Sequence, residues 1–327
     1  MPDNEKIIEI KDLNLYFDND FGTKKILNHV SFFINRGETL GIVGESGCGK
    51  SVTSLSIMRL LSCPPARLKG EILFKGNNLL ALSEVEMQQI RGNSISMIFQ
   101  EPMTSLNPVY TIGDQLSETF MLHQKLNRFQ AKKKSIEMLE KVNVPEPAKR
   151  FRQYPHELSG GMRQRIMIAM ALSCRPELLI ADEPTTALDV TIQAQVLDLM
   201  RSLQKEMGTA IAFITHDLGV VSEMCNRVIV MYCGEVVEEA ATKDIFSETM
   251  HPYTVGLLST LPKIGSNTQL NTIPGMVPPA GHFPKGCVFS TRCSYADDRC
   301  RNIKPALVSV KDGHSVRCFR FSNAEEK

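Results

Sequence analysis

The 327-residue sequence has no excess of either charge and no apolar run long enough to cross a bilayer. Its 37 lysines and arginines balance 36 aspartates and glutamates, so no overall basic field indicates a nucleic-acid partner. The longest apolar runs, such as IMIAMALSC at 166–174, are much shorter than the ~20 residues of a membrane-spanning helix. The acidic, alternating start, MPDNEKIIEIKD, is unlike a signal peptide. We therefore expect a chain that works in the cytoplasm and acts at a membrane only through partners.

The cysteines do not follow the pattern of a secreted, disulfide-linked protein. There are nine, an odd number, and five are scattered along the chain: Cys48, Cys63, Cys174, Cys225 and Cys233. This usage is typical of a reducing compartment, with one special cluster near the C-terminus. The members of that cluster are separated by five, six and seventeen residues: Cys287, Cys293, Cys300 and Cys318.

Four thiols this dense in sequence indicate a ligand set more than a disulfide framework. Structural zinc prefers cysteines two to four residues apart, which this stretch lacks, whereas four-iron, four-sulfur (4Fe–4S) sites tolerate varied spacing. Arg292, Arg299 and Arg317 each precede a candidate ligand, and their charge would offset that of four thiolates around either metal. The residues themselves leave zinc, iron–sulfur and buried free thiols open.

Strand and helix patterns alternate over the first 250 residues. Strand patterns occur at 7–17, 26–34, 39–44, 70–74, 94–99, 177–183, 209–215 and 227–232, and helical patterns at 51–61, 112–123, 129–144 and 190–207. This alternation predicts an α/β fold with a largely parallel sheet. A helical insertion is expected at about 101–172, and the Pro- and Gly-rich sequence beyond 250 predicts a small irregular C-terminal segment over 251–327.

A glycine-rich motif follows the strand pattern at 39–44 and precedes a helical one. Its sequence, GESGCGKS, matches the phosphate-loop pattern G-x-x-x-x-G-K-S and comprises Gly44, Glu45, Ser46, Gly47, Cys48, Gly49, Lys50 and Ser51. Glycines allow the backbone to turn its N–H groups toward phosphate oxygens, and the helix N-terminus adds favourable partial charge. We expect Lys50 to reach the β- and γ-phosphates and the Ser51 hydroxyl to bind Mg²⁺, while Cys48 fills space.

A second acidic motif, LLIADE at 178–183, ends another buried strand pattern. Asp182 is placed to hold Mg²⁺ through water, and Glu183 to orient and deprotonate an attacking water. Acidic residues at strand ends are common by themselves. Their combination with a phosphate loop about 130 residues upstream indicates a nucleotide-hydrolysing site.

The segment LSGGMRQR at 158–165 resembles the signature motif of the ATP-binding-cassette (ABC) ATPases, with Met162 where glutamine is usual. Other landmarks of that family follow the same order. Gln100 in IFQEP resembles the Q-loop, ALD at 187–189 resembles the D-loop, and His216 in FITHD resembles the switch histidine. Phe17, or its neighbour Tyr16, would be the aromatic residue that stacks on adenine.

This resemblance implies a P-loop cassette with a mostly parallel core sheet, an antiparallel β subdomain and a helical insertion. It places Gln100 among the Mg²⁺ contacts, beside Ser51 and Asp182, and makes Glu183, His216 and Gln100 the hydrolytic set. Ser159, Gly160 and Gly161 would present N–H groups to ATP held by a second cassette, so the working unit would be a dimer that sandwiches two nucleotides.

Within this family, the C-terminal sequences HPYTVGLLSTLP at 251–262 and PGMVPP…GCVF…RC…C resemble the peptide importers of bacteria and archaea. The resemblance implies a second homologous ATPase, two membrane permease subunits, an extracellular peptide-binding protein and a peripheral location on the cytoplasmic face of the cell membrane. It also favours a 4Fe–4S cluster over zinc on Cys287, Cys293, Cys300 and Cys318. Two alternatives remain open: a soluble ABC ATPase acting on nucleic acid or ribosomes, and an importer of another small solute.

Overall fold

The computed structural model of the protein describes residues 5–20, 22–100, 105–186, 189–261 and 272–322. The chain divides into two compact units. The first unit is built mainly from residues 81–213, with the short segment 34–38. The second unit combines 8–33 and 39–80 with the chain from 214 onward.

The described ranges contain twelve strands. In chain order they are β1 (Lys6–Asn19), β2 (Gly22–Asn35), β3 (Thr39–Val43), β4 (Ala66–Phe74), β5 (Asn77–Asn78), β6 (Ile95–Ile98), β7 (Leu178–Asp182), β8 (Ala210–Ile214), β9 (Arg227–Tyr232), β10 (Glu235–Ala241), β11 (Val308–Lys311) and β12 (His314–Val316). The strands β3, β7 and β8 are buried at every position, as expected for the interior of a sheet covered on both faces.

Eleven α-helices lie in the same ranges. They are α1 (Lys50–Ile57), α2 (Glu84–Ile90), α3 (Ile112–Gln124), α4 (Arg128–Lys141), α5 (Pro147–Arg150), α6 (Gly160–Leu172), α7 (Val190–Met207), α8 (Leu218–Met224), α9 (Thr242–Ser247), α10 (Pro252–Ser259) and α11 (Asp298–Asn302). Short 3₁₀ turns occupy Leu79–Ala81 and Pro155–Glu157. In the described part of the chain, no helix has the length and apolarity that crossing a membrane requires.

The second unit holds two groups of strands. One is an antiparallel sheet in the order β2-β1-β4-β5, which matches the expected β subdomain. The other runs β11-β12-β10-β9-β3, with β3 and β9 parallel and the remaining pairs antiparallel. The C-terminal segment is therefore not wholly irregular, because β12 pairs with β10 through Glu238 and Val316 and so extends a sheet.

The first unit joins the strands β8-β7-β6, with β6 and β7 parallel, to the helices α3 to α7. The predicted helices at 112–123 and 129–144 are present as α3 and α4, each started by a side-chain cap. The helix pattern at 190–207 is present over the same residues as α7, which Asp189 caps. The α/β class predicted from the alternation is thus confirmed; residues 101–104, where the predicted insertion begins, lie outside the described residues.

A buried carboxylate fixes the start of the C-terminal segment within the second unit. Glu238 of β10 is fully buried and accepts hydrogen bonds from the backbone N–H groups of Met250 (2.7 Å) and His251 (3.0 Å) and from the Thr249 hydroxyl (3.3 Å). The Nε2 atom of buried His314 on β12 lies 2.8 Å from the same carboxylate, which favours the tautomer with the proton on Nε2. Two stretches far apart in sequence therefore share one buried acceptor.

Replacing Glu238 by alanine should lower the free energy of unfolding by about 3 kcal/mol, because several buried donors lose their acceptor together. Urea unfolding of the full chain measures this change. The control is Glu248→Ala, which removes an exposed carboxylate paired with Lys311 and should change the unfolding midpoint far less. Equal unfolding midpoints for the two variants would contradict the role given to Glu238.

Candidate active site

The phosphate-loop sequence leaves β3 and enters α1 through three glycines in the left-handed region. Their φ values are +152° at Gly44, +79° at Gly47 and +108° at Gly49. At Gly44 space is also limiting, since a Cβ atom there would lie 2.3 Å from the carbonyl oxygen of Met231. A residue with a side chain could not adopt this loop unchanged. The resulting curve ends at the N-terminus of α1, where N–H groups and partial charge favour an anion.

Lys50 is almost fully buried at the first position of α1. Its ammonium donates hydrogen bonds to the carbonyl oxygens of Gly44 (2.7 Å) and Glu45 (3.0 Å), and so lies within the loop. The Gly234 N–H, in the turn between β9 and β10, donates to the Cys48 carbonyl at 2.9 Å. Burial raises the pKa of the Cys48 thiol, which keeps this side chain uncharged and suits a packing role. The loop is therefore held from inside by the hydrogen bonds of the Lys50 ammonium and from outside by the Gly234 N–H of the β9–β10 turn.

Two further groups hold Glu45. Its backbone N–H donates to the Tyr253 hydroxyl at 2.8 Å, and its carboxylate pairs with Arg292. Neither partner follows from the sequence pattern. Arg292 was expected to offset the charge of a metal-bound thiolate, but its guanidinium lies against the phosphate loop instead.

In the first unit, Glu183 follows β7 in a left-handed conformation (φ +48°), which is uncommon for a residue with a side chain. Its Oε2 atom accepts hydrogen bonds from Gln100 Nε2 (3.1 Å) and from the Thr186 hydroxyl (2.9 Å). Asp182, the last residue of β7, is buried. Two of the predicted residues, Gln100 and Glu183, are thus in direct contact, and Thr186 is a third member of this group that sequence reasoning missed.

The signature segment forms the N-terminus of α6 in the first unit. Ser159 caps this helix, and its hydroxyl accepts a hydrogen bond from the Met162 N–H at 3.3 Å. A Cβ atom on Gly160 would meet nothing within 4 Å, whereas one on Gly161 would come within 3.2 Å of Ile192. The helix start is consequently open on the Gly160 side, as an anion site on the surface requires.

Tyr16 and Phe17 lie next to each other on β1 and so point to opposite faces of the strand. The Tyr16 ring is flanked by two cations, with Arg67 at 4.9 Å and Lys25 at 5.5 Å from its centroid. These cations compete with a base for the Tyr16 ring. Phe17 is therefore the better candidate of the two for an adenine contact.

The remaining family landmarks lie at the ends of elements. His216 is exposed two residues after β8, directly before Asp217, which caps α8. Of the predicted D-loop, residues 187 and 188 lie outside the described residues, and Asp189 caps α7 through the Ile192 N–H at 2.9 Å.

The four C-terminal cysteines line one small pocket of the second unit, together with apolar and aromatic side chains: Cys287, Cys293, Cys300, Cys318, Phe289, Tyr295, Phe319 and His251. All nine cysteines of the chain are free thiols. Burial, together with the neighbouring thiols of Cys300, Cys318 and Cys293, raises the pKa of Cys287 to about 12. The four thiols are therefore close enough to influence one another's ionisation.

The backbone around this pocket approaches itself closely. The Cys287 N–H donates to the Cys300 carbonyl at 2.7 Å, and a Cβ on Gly286 would lie 2.3 Å from that same oxygen. Among the residues that the structure describes, no three His, Cys, Asp or Glu side chains are arranged so that they could hold a single metal ion.

Comparison with known proteins agrees with this geometry. The family described as "ABC transporter" matches residues 27–186, and that described as "Oligopeptide/dipeptide transporter, C-terminal region" matches residues 237–300. A solved dimeric ATP-binding cassette in a post-hydrolysis state, bound to ADP and phosphate, superposes with a TM-score of 0.65 at 27% identity. It covers 72% of this chain and 98% of its own. The fold is thus that of an ATP-binding cassette.

Similar proteins extend over nearly the whole chain. A probable peptide ABC transporter ATP-binding protein of Sinorhizobium fredii is 52% identical, covering 98% of this chain and 96% of its own. An oligopeptide transport ATP-binding protein of Bacillus subtilis is 51% identical, with 96% and 88% covered, and a dipeptide transport ATP-binding protein of the same organism is 49% identical, with 96% and 95% covered. The chain therefore belongs to the ABC transporter family, in its group of peptide-transport ATP-binding proteins.

Replacing Gly44 by alanine should raise the dissociation constant for ATP at least tenfold, because the new methyl group would collide with the Met231 carbonyl and displace the loop. Isothermal titration of the full chain with ATP measures the change. Gly76→Ala is the matched control, since Gly76 also has a positive φ (+82°) but open space around a Cβ. Unchanged ATP binding by Gly44→Ala would contradict the role given to the loop.

Proposed function

We propose that this chain is the ATP-hydrolysing subunit that powers import of di- and oligopeptides through partner membrane subunits. The observation that carries the proposal is the combination, in one chain, of a phosphate loop with a C-terminal region of the oligopeptide/dipeptide transporter type. Relatives that match nearly end to end are named for peptide transport, which supports the same cargo class here.

We assign ATP binding to the loop 44–51, with Phe17 as the adenine contact. Lys50 would move from the Gly44 and Glu45 carbonyls onto the β- and γ-phosphates, which are stronger acceptors because they are charged. Ser51, Asp182 and Gln100 would hold Mg²⁺, which accepts hydroxyl, carboxylate and amide oxygens as ligands. When bound by these residues, the metal would supply positive charge to offset that of the phosphates.

Glu183 is the proposed general base. Its contacts with Gln100 and Thr186 fix the direction of the carboxylate, and positioning of this kind supplies much of the catalysis in phosphoryl transfer. His216 would contact the γ-phosphate from its loop after β8. Ser159, Gly160 and Gly161 would cap ATP held by a second, homologous ATPase, so that closure of a heterodimer completes each site.

The helical insertion is the proposed contact with the permease subunits at the cytoplasmic face of the membrane. It contains a cavity of about 1150 Å³ between α3, α4 and α6. Apolar side chains stand exposed along its lining, with Tyr110 at 55% and Leu122 at 62%. Exposed apolar surface of this kind is typical of a protein contact. An extracellular peptide-binding protein would deliver the cargo from the other side of the membrane.

The four-cysteine pocket is the proposed site of a 4Fe–4S cluster. Four thiols on one pocket with an aromatic and apolar surround are a donor set that suits such a cluster, and Cys287, Cys293, Cys300 and Cys318 would hold it. When bound, the cluster would supply a structural cross-link between the segments that carry these four cysteines. Zinc bound by the same thiols is the alternative, and measuring the iron and zinc content of the protein distinguishes the two.

Glu183→Gln should lower the rate of ATP hydrolysis by roughly 10²–10⁴-fold while ATP still binds, because the amide keeps the shape but cannot accept the proton. Single-turnover hydrolysis and equilibrium ATP binding measure the two effects separately. The control is Glu177→Gln, a carboxylate that directly precedes β7 and pairs with Arg36. Near-normal hydrolysis by Glu183→Gln would mean that another group is the base.

Anaerobic purification of the full chain should give a brown protein with about four irons and four acid-labile sulfides per chain. Replacing Cys287 by serine should lower the iron content at least several-fold, whereas Cys63→Ser, at an exposed cysteine outside the pocket, should leave it unchanged. One zinc per chain and no colour would replace the cluster with a zinc site. No metal at all would contradict both.

A further inference from the structure

The C-terminal segment contacts the phosphate loop through one bidentate ion pair. Arg292 Nη1 lies 2.5 Å from Glu45 Oε2, and Nη2 lies 3.2 Å from Oε1, across 247 residues of sequence. The Arg292 side chain is only 4% exposed, while that of Glu45 is 28% exposed. A planar, two-point pair of this kind fixes orientation as well as distance.

Arg292 is itself firmly held. Its Nε and Nη2 atoms donate to the carbonyl oxygens of Pro274 (2.9 Å) and Ile273 (3.2 Å), and Nη1 lies 3.4 Å from the Tyr232 hydroxyl. Every side of the guanidinium therefore has an acceptor. A buried arginine with this many contacts cannot easily follow a moving partner, so it restrains Glu45.

The second contact approaches the same loop residue from α10. Tyr253, fully buried, accepts the hydrogen bond of the Glu45 N–H, and its own N–H donates to His251 Nδ1 at 3.1 Å. His251 is in turn held by Glu238 of β10. A continuous set of contacts thus connects the sheet, the start of α10 and the phosphate loop.

The charge of Glu45 gives this arrangement a consequence for ligand binding. A carboxylate in a loop that is built to bind phosphate would repel the ligand if it were uncompensated. The Arg292 guanidinium neutralises that carboxylate and holds it in a fixed pair. Loss of the arginine would both release the loop and restore the repulsion.

We propose that Arg292 is a positioning residue for nucleotide binding: by holding Glu45 it shapes the phosphate loop and cancels a negative charge beside the bound phosphates. The inference rests on the proposed function, because it takes the loop 44–51 as the ATP site. It assigns to the C-terminal segment a part in nucleotide affinity. Arg292 does not touch the reacting atoms and acts only through Glu45.

The test is the affinity of the full chain for ATP, measured by isothermal titration in the presence of EDTA so that no hydrolysis occurs. Arg292→Gln should raise the dissociation constant about tenfold. Arg299→Gln is the matched control, because Arg299 also precedes a pocket cysteine but stacks on Phe319, 4.1 Å from the ring centroid, and its loss should change affinity less than twofold. Equal effects of the two substitutions would overturn the proposal.

Removing the carboxylate together with the arginine separates positioning from general loss of structure. The double variant Arg292→Gln, Glu45→Gln should bind ATP more tightly than Arg292→Gln alone, because the uncompensated charge is gone. Arg292→Lys keeps the charge but not the two-point geometry, so it should fall between the native chain and Arg292→Gln. The mechanism would be contradicted if the double variant lost as much affinity for ATP as the two single variants lose together.

The same titrations distinguish this inference from the function beneath it. If the unsubstituted chain binds no ATP, the proposed function fails. If it binds ATP and both Arg292→Gln and Arg292→Lys bind equally well, only the role of Arg292 fails. Thermal unfolding of each variant shows whether the chain is folded, and Arg292→Lys supplies the comparison if Arg292→Gln is not.

Discussion

The conformation of the phosphate loop is the constraint on which the rest of the second unit depends. Three glycines adopt left-handed φ values, and at Gly44 the Met231 carbonyl leaves no space for a side chain. Glycines adopt these φ values without steric strain, but ordering them costs backbone entropy, so the loop needs support from its neighbours. The support comes from the buried ammonium of Lys50 inside the curve and from the Gly234 N–H outside it. These contacts keep the peptide groups of the loop in place.

The C-terminal segment belongs to that support. Glu45 is held at its N–H by Tyr253 and at its carboxylate by Arg292, and both residues come from beyond position 250. Glu238 connects the same region to β10 and to β12 through His251 and His314. A segment that looks like an appendage in sequence is thereby joined to the nucleotide loop by hydrogen bonds and by an ion pair.

Local patterns predicted most of the elements because local forces determine them. The mostly apolar run at 227–232 and the amphipathic run at 190–207 form β9 and α7 over those same residues. The helix expected at 51–61 ends earlier, at Ile57, where Arg59 adopts a left-handed φ of +50°. The tail expected to be irregular contains β11 and β12, whose three or four residues give too short an alternation to recognise.

Long-range contacts could not be predicted in this way. The phosphate loop, Glu183 and the signature segment are recognisable because their chemistry requires particular residues at fixed spacing. The partners of those residues carry no such signal. Nothing in the sequence around Arg292 indicates a pair with Glu45, and its position before Cys293 suggested that it offsets the charge of a metal-bound thiolate. Such pairs arise only when the sheet order brings distant segments together.

The measurement that tests the account most directly is purification of the tagged full chain from membranes of its host in mild detergent, followed by identification of what accompanies it. The account predicts two permease subunits and a second ATPase in equal amounts, with ATP hydrolysis that peptide and its binding protein stimulate. Recovery of nucleic acid or ribosomal proteins in place of membrane subunits would contradict it. Such a result would mean that the chain is an ATP-binding cassette that acts on nucleic acid or ribosomes and not in peptide import.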